Sequence, residues 1–176
     1  KLTSSIEFTP SSSVQPMMKY YSVDTNTIYP PQLEFKWRDY TSSISENDPN
    51  IVSNPNVKMS LAENPGTFNA GSTNRFRLNI SPMYPARTFQ TSSFYVSKNY
   101  LPTASYYALK DLDTNEYVMD FDTQYTQISA DDKSNYFDIY MDGLEPERYY
   151  EILIKTTIDG STRTYNDNYY FKVING

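Results

Sequence analysis

The chain has 176 residues, of which 38% are hydrophobic, enough for one ordinary core and part of a second. It contains no histidine and no cysteine, which excludes imidazole catalysis, histidine metal sites, thiolate chemistry and disulfides. The net charge of −6 argues against a nucleic-acid partner, and no apolar run approaches the ~20 residues of a membrane span. We therefore expect a protein that is not an enzyme, binds no cofactor and contacts neither nucleic acid nor membrane.

Residues 1–40 alternate between apolar and polar side chains over three short stretches, the last of which contains Leu33, Phe35 and Trp37. Three strands cannot close a barrel or cover both faces of a sandwich, so we expect the terminal strands of an upstream β-domain. Leu33, Phe35 and Trp37 form a candidate strand-augmentation segment, because their bulky apolar face needs cover from elsewhere. The alternative is an arm that alternates without forming strands. Residues 41–56, rich in Ser, Asn and Asp, are predicted to be a linker.

Residues 57–176 alternate with a period of two wherever they are apolar, which predicts an all-β domain. Seven strands are expected, in the arrangement of a fibronectin type III-like or immunoglobulin-like sandwich, with strands A, B and E facing C′, C, F and G. The residues that define these strands are, in chain order, Val57, Met59 and Leu61; Phe76, Leu78 and Ile80; Tyr107 and Leu109; Tyr117, Met119 and Phe121; Phe137, Ile139 and Met141; Tyr150, Ile152 and Ile154; and Tyr165, Tyr169, Phe171 and Val173. Tyr107, Tyr150 and Tyr169 are assigned to the core by their apolar neighbours.

The stretch GLEPERYYEILIKT, residues 143–156, resembles the tyrosine corner of such sandwiches. Leu144, Pro146 and Tyr150 have the spacing of the leucine, proline and tyrosine of that corner. Pro146 would turn the chain between the two sheets, and Tyr150 would open the next strand with its hydroxyl free to bond backbone a few residues upstream. This motif predicts a fold and no activity.

Charge is distributed unevenly along the sandwich. Residues 64–110 contain five basic residues and no acid, whereas residues 111–147 contain eleven acids and one lysine. One interpretation is that the two blocks form neighbouring strands that neutralise each other on one surface. The other is a head-to-tail contact between subunits.

Two acidic patterns suggest chemistry that their context does not support. Asp111, Asp113, Asn115 and Asp122 have the spacing of a calcium loop, but the sixth position is Glu116 where a glycine is needed, and strands flank the segment. A hairpin turn with solvated carboxylates is the favoured interpretation. Paired carboxylates could also hydrolyse glycosides, although a sequence cannot place two acids across a cleft.

Tyrosine is the more informative residue, with 18 copies that include four doublets. A doublet on a strand sends one ring inward and one outward. Tyr106, Tyr149 and Tyr170 are therefore predicted to emerge on the outer face of strands C, F and G and to cluster there as a candidate interaction face. Ordinary cross-strand pairing on a solvated sheet is the alternative to contact with a protein or a sugar.

Three segments taken together resemble the C-terminal part of structural proteins of tailed bacteriophages, particularly the contractile-tailed kind. They are IYPPQLEFKWRDY (residues 28–40), FRLNISPMYPARTFQTSS (residues 76–93) and DFDTQYTQISADDKSNYFDIYMDGLEPERYYEILIKTTIDG (residues 120–160). The resemblance implies a non-enzymatic virion component, assembled in the host cytoplasm, that binds other virion proteins and forms a homo-oligomer. A carbohydrate-binding or host-adhesion module, with a glycan as partner, remains the alternative.

Overall fold

Two β-sheets, one of four strands and one of five, face each other across the core in a computed structural model of the chain. The structure describes residues 36–62, 64–84 and 98–176. Within these residues the chain is all-β, as its period-two alternation predicts. A single turn of 3-10 helix covers Met141–Gly143. The strands in chain order are β1 (Val57–Ala62), β2 (Thr67–Asn69), β3 (Thr73–Pro82), β4 (Ser105–Asp111), β5 (Tyr117–Met119), β6 (Ser129–Ala130), β7 (Asn135–Tyr140), β8 (Tyr149–Ile158) and β9 (Ser161–Ile174).

The strand order is β1-β3-β7-β6 in one sheet and β2-β9-β8-β4-β5 in the other. The predicted strands A, B and E correspond to β1, β3 and β7, and the predicted strands C′, C, F and G correspond to β5, β4, β8 and β9. The predicted division of these strands between two sheets is therefore confirmed. Two short strands were not predicted: β6 at the edge of the first sheet, and β2, which pairs in parallel with the end of β9. Strands of two or three residues are too short to show an alternation pattern.

Alternation along the strands places one set of side chains from each sheet in a shared core. Phe76 and Leu78 of β3 are fully buried, as are Ile152 of β8 and Phe171 of β9. The rings of Phe76 and Phe171 join the two sheets, with their centroids 5.5 Å apart. Burying side chains of this size stabilises the fold by about 1.5–3 kcal/mol each relative to leaving them exposed.

The segment predicted to be a linker, residues 41–56, contacts the sandwich through its backbone. The amide of Ser43 donates to the carbonyl of Ala130 at 3.0 Å, and the amide of Val52 donates to the carbonyl of Tyr100 at 2.9 Å. Val52 itself is buried. The segment therefore belongs to the compact unit Trp37–Gly176 and is not a spacer. Its polar composition concealed this because backbone groups, which every residue carries, make the contacts.

Trp37 does not lie in a strand, contrary to the alternation that predicted one, because residues 36–40 contain no strand. Its indole N–H donates to the carboxylate of Asp39 at 2.8 Å, and its ring meets that of Tyr140 edge to face at 5.0 Å. These local contacts replace a strand ladder and leave Trp37 45% exposed. Leu33 and Phe35 lie outside the described residues, and the predicted upstream domain of residues 1–40 stays a prediction.

The basic and acidic blocks of the sequence meet on the four-stranded sheet. Arg75 forms two hydrogen bonds with Asp138 at 2.8 and 2.9 Å, and Arg77 forms two with Asp131 at 3.0 and 2.8 Å. The neutralisation of one block by the other within the chain is therefore observed for these two pairs. The Arg77 hydrogen bonds, followed by the Ser134 and Lys133 amides, outweigh burial and hold the pKa of Asp131 well below its usual range.

Two tyrosine hydroxyls close the side of the sandwich where β9 passes β1. Tyr169 donates to the carbonyl of Met59 at 2.6 Å, and Tyr165 donates to the carbonyl of Pro55 at 2.9 Å. The sequence predicted Tyr169 as a core residue and Tyr165 as a residue of the last strand. Their hydroxyls also join the two sheets, because each reaches a backbone acceptor at or just before the edge strand β1.

Candidate functional site: the outer face of the five-stranded sheet

Aromatic and charged side chains, some exposed and some partly buried, lie on the side of the five-stranded sheet that points away from the core. We call this surface the outer face. Opposite residues in a ladder project to the same side, and the pairing register assigns the members of this face. They are Tyr106 and Lys110 of β4, Tyr117 of β5, Tyr149, Glu151 and Lys155 of β8, and Tyr170 and Lys172 of β9.

Tyr149 and Tyr170, two of the three predicted interaction residues, are neighbours on the outer face. Tyr149 lies opposite Lys172 and Tyr170 lies opposite Glu151, so the two tyrosines are diagonal neighbours on β8 and β9. Their exposed fractions are 46% and 54%. Rings so exposed on adjacent strands are available to a ligand or a second protein.

Tyr106 shares the outer face but does not cluster with the other two tyrosines. It lies opposite Lys155, six positions along β8 from Tyr149, which corresponds to about 20 Å of strand. The prediction of a cluster of three was therefore wrong for Tyr106. The reason is geometric: β4 and β8 are antiparallel, and both tyrosine doublets stand near the start of their strand, so the doublets lie at opposite ends.

Tyr117 takes part in the outer face, although the sequence predicted it only as a residue of strand C′. It is 50% exposed and lies opposite Lys110, whose Nζ is 6.0 Å from the centroid of the Tyr117 ring. The pairing between β4 and β5 shifts register next to Leu109, where Met119 takes the inward position. Such a bulge reverses the side to which a residue points, and the alternation of β5 alone did not reveal it.

Lysine ammonium groups stand over aromatic rings along the outer face. Lys155 Nζ lies 4.3 Å from the centroid of Phe121 and 6.0 Å from that of Tyr106, and Lys172 Nζ lies 5.8 Å from that of Tyr149. Contacts of this kind contribute about 0.5–1 kcal/mol at exposed sites. They place positive charge beside the aromatic rings of the outer face.

The tyrosine corner has the hydrogen bond that the motif predicts. Tyr150 is 2% exposed, and its hydroxyl donates to the carbonyl of Glu145 at 3.1 Å. Leu144 is buried beside the turn, whereas Pro146 is exposed. Burial raises the pKa of Tyr150. The corner is structural, and it lies directly before β8, whose first residue is Tyr149.

We expect Tyr150→Phe to lower the free energy of unfolding by about 1–2 kcal/mol, because the ring is kept while the Glu145 carbonyl loses its partner. Urea unfolding at neutral pH measures the change. Tyr149→Phe is the matched control, since the neighbouring hydroxyl is on the exposed side and its loss should change stability by less than about 0.5 kcal/mol. Equal stability of Tyr150→Phe and the wild type would contradict the role given to the corner.

The acidic residues of the suspected calcium loop are occupied by donors from the protein. Desolvation opposes the ionisation of Asp111, but the amide of Asp113 at 2.8 Å and the guanidinium of Arg148 at 2.7 Å outweigh it and lower its pKa. Asp122 accepts from the amides of Gln124 and Tyr125. In the described residues no group of three or more acidic side chains is arranged to hold a metal ion.

Two small clefts lie in the described part of the chain. Their volumes are about 20 and 10 Å³, and each has room for about one water molecule. Neither offers the space that a sugar ring or another small substrate needs. The described residues include no helix that is long and apolar enough to cross a membrane.

Comparison with known proteins completes the description of the site. The resemblance to phage structural proteins rests on the three sequence segments alone and stays a prediction. No protein-family model, no curated protein and no solved structure matches this chain.

Proposed function

We propose that this chain is a non-enzymatic assembly module of a bacteriophage virion, which binds other virion subunits. We also infer that its sandwich is of the immunoglobulin or fibronectin type III-like class, since the strand order and the Tyr150 corner both favour it. The proposed location is the virion, after assembly in the host cytoplasm. The resemblance of residues 28–40, 76–93 and 120–160 to phage structural proteins suggests this setting.

The observation that carries the proposal is the outer face. Tyr117, Tyr149 and Tyr170 are each about half exposed on one face of the sheet, among Lys110 and Lys172. Tyrosine is enriched in the cores of protein interfaces because it brings a large, stiff, amphipathic surface. A sheet face of this kind suits another folded surface better than a small molecule, which needs a concave site.

Labelling of purified particles tests the proposal. Antibodies raised against the chain should bind the virions of the phage that encodes it, at a constant position under the electron microscope. Peptides of the chain should also be found in the same particles by mass spectrometry. Particles that contain none of these peptides would refute a role as a virion component.

The second candidate is a carbohydrate-binding or host-adhesion module, favoured by the two adjacent exposed rings of Tyr149 and Tyr170, on which a sugar could stack. A glycan array with the full chain tests it. Reproducible binding of a saccharide that is lost in Tyr149→Ala, and kept in Tyr84→Ala, would favour this candidate. Tyr84 is a suitable control because it is 82% exposed and follows β3 in the other sheet. An array without binding would leave the assembly proposal as the stronger one.

A further inference from the structure

One row of side chains runs straight across four strands of the outer face. Tyr117 pairs with Lys110, Lys110 pairs with Glu151, and Glu151 pairs with Tyr170. Neighbouring strands are ~4.8 Å apart, so the row spans about 14 Å. In spatial order it is tyrosine, lysine, glutamate, tyrosine, with the aromatic residues at its ends and two opposite charges at its centre.

The charges in this row are complementary to the charges of the same row turned end for end. If the row is turned end for end and laid on a second copy, lysine faces glutamate, glutamate faces lysine, and tyrosine faces tyrosine at both ends. A two-fold axis that lies between β4 and β8, parallel to the strands, performs this operation on two facing sheets. Two-fold dimers are isologous, so each contact of this kind occurs twice.

We propose that two copies of this chain pack through their outer faces about such an axis. In the dimer Lys110 of each copy meets Glu151 of the other, and Tyr117 meets Tyr170. The commitment to a second copy, over a different protein or a glycan, rests on this charge complementarity. A second copy of this chain would be one partner of the proposed assembly module. The proposed dimer therefore rests on the proposed function.

The rows at Tyr106 and at Leu112 agree with the same axis, and between the Tyr106 row and the central row lie Ala108 and Leu153, which are opposite each other and buried. Tyr106 and Lys155 are opposite each other on β4 and β8, so the axis brings Tyr106 of one copy to Lys155 of the other, a cation–π pair. Leu112 follows β4, and its amide donates to the carbonyl of Tyr149 at 3.0 Å. The axis brings these two exposed side chains to each other in the same way. Three rows thus give matched contacts for one symmetry operation.

The dimer is expected to be weak. From the Leu112 row to the Tyr106 row the patch is about 20 Å long, and its width is about 15 Å. Two such patches bury less surface than the ~1,200 Å² at the lower limit of stable interfaces. The contact is therefore concentration-dependent for the isolated chain, and a particle that presents many copies side by side would reinforce it.

Sedimentation velocity of the full chain over a wide concentration range tests the proposal. We expect a reversible dimer whose dissociation constant rises about tenfold or more in Lys110→Glu and in Glu151→Lys, because each change places like charges opposite each other twice. Lys58→Glu makes the same charge change on the exposed side of β1 and should leave the constant unchanged. A wild type that stays monomeric at every concentration would overturn the proposal.

A mixture of Lys110→Glu and Glu151→Lys tests the two-fold arrangement most directly. Lys110→Glu carries two glutamates at the centre of the row and Glu151→Lys carries two lysines, so the mixture should form a heterodimer that is tighter than the homodimer of either variant alone. The double variant Lys110→Glu/Glu151→Lys should dimerise like the wild type. A mixture that fails to associate would overturn the two-fold arrangement. Particle labelling is an independent measurement, so failure of the dimer and failure of the proposed virion role can be told apart.

Discussion

Phe76→Ala is expected to lower the free energy of unfolding by about 3–5 kcal/mol, the largest effect of any substitution considered for this chain. Phe76 is fully buried, and its ring lies 5.2 Å from that of Phe68, 5.5 Å from that of Phe171 and 5.6 Å from that of Phe137, measured between centroids. Truncation removes these contacts and leaves a cavity between the two sheets. Chemical denaturation monitored by circular dichroism measures the loss.

Phe76→Leu is the matched control for this substitution. Leucine fills most of the same space and keeps the apolar character, so the expected loss is about 1–1.5 kcal/mol. The difference between the two variants isolates the cavity contribution at the centre of the core. A loss below about 1 kcal/mol for Phe76→Ala would mean that the sheets do not pack through this ring.

Asp131→Asn is expected to lower the free energy of unfolding by about 2–3 kcal/mol at neutral pH, because charge-assisted hydrogen bonds are lost. The carboxylate accepts two bonds from Arg77, and the amides of Lys133 and Ser134 donate to it at 2.9 and 3.0 Å. An amide side chain can neither accept both guanidinium bonds nor balance the charge of Arg77.

The same substitution changes the pH dependence. The pKa of Asp131 is depressed in the folded chain, so the folded state favours the ionised form. Its contribution is fully present above the ordinary aspartate pKa of about 3.9, and it is lost as the pH falls through the lower folded value. The wild type should therefore lose stability below about pH 4 more steeply than Asp131→Asn, and the two curves should converge in strong acid.

Urea unfolding of both proteins at neutral and acidic pH measures this convergence. Asp132→Asn removes the same formal charge from the adjacent, exposed position and should change stability by less than about 0.5 kcal/mol. A constant difference between Asp131→Asn and the wild type at all pH values would show that the pairing with Arg77 does not depend on ionisation.

The proposed function and the proposed dimer depend on one surface, and the tyrosine corner lies directly before the strand that carries Tyr149 and Glu151. The hydroxyl of Tyr150 is bonded to the turn at Glu145, and the register of β8 with β4 places Glu151 opposite Lys110. A shift of one residue along β8 would send Tyr149 and Glu151 into the core and Ile152 out to solvent. The structural motif and the interaction face are therefore linked.

The sequence by itself determined the class of fold and most of the core. Residues such as Phe76, Ile152 and Phe171 alternate with polar neighbours, and a strand with one face on a core must alternate in this way. The corner at Tyr150 was predictable for a similar reason: its hydrogen bond joins residues only five positions apart, so local spacing contains the information.

Only the tertiary structure decided what the surface presents. That Tyr106 lies far from Tyr149, that Tyr117 points outward, and that Arg77 reaches Asp131 all depend on pairing between distant parts of the chain. Strand register and bulges result from the packing of the whole core, because a slip of one residue is penalised by every buried side chain at once. The row of Tyr117, Lys110, Glu151 and Tyr170 comes from three separate strand pairings, and no pattern along the chain encodes their combination.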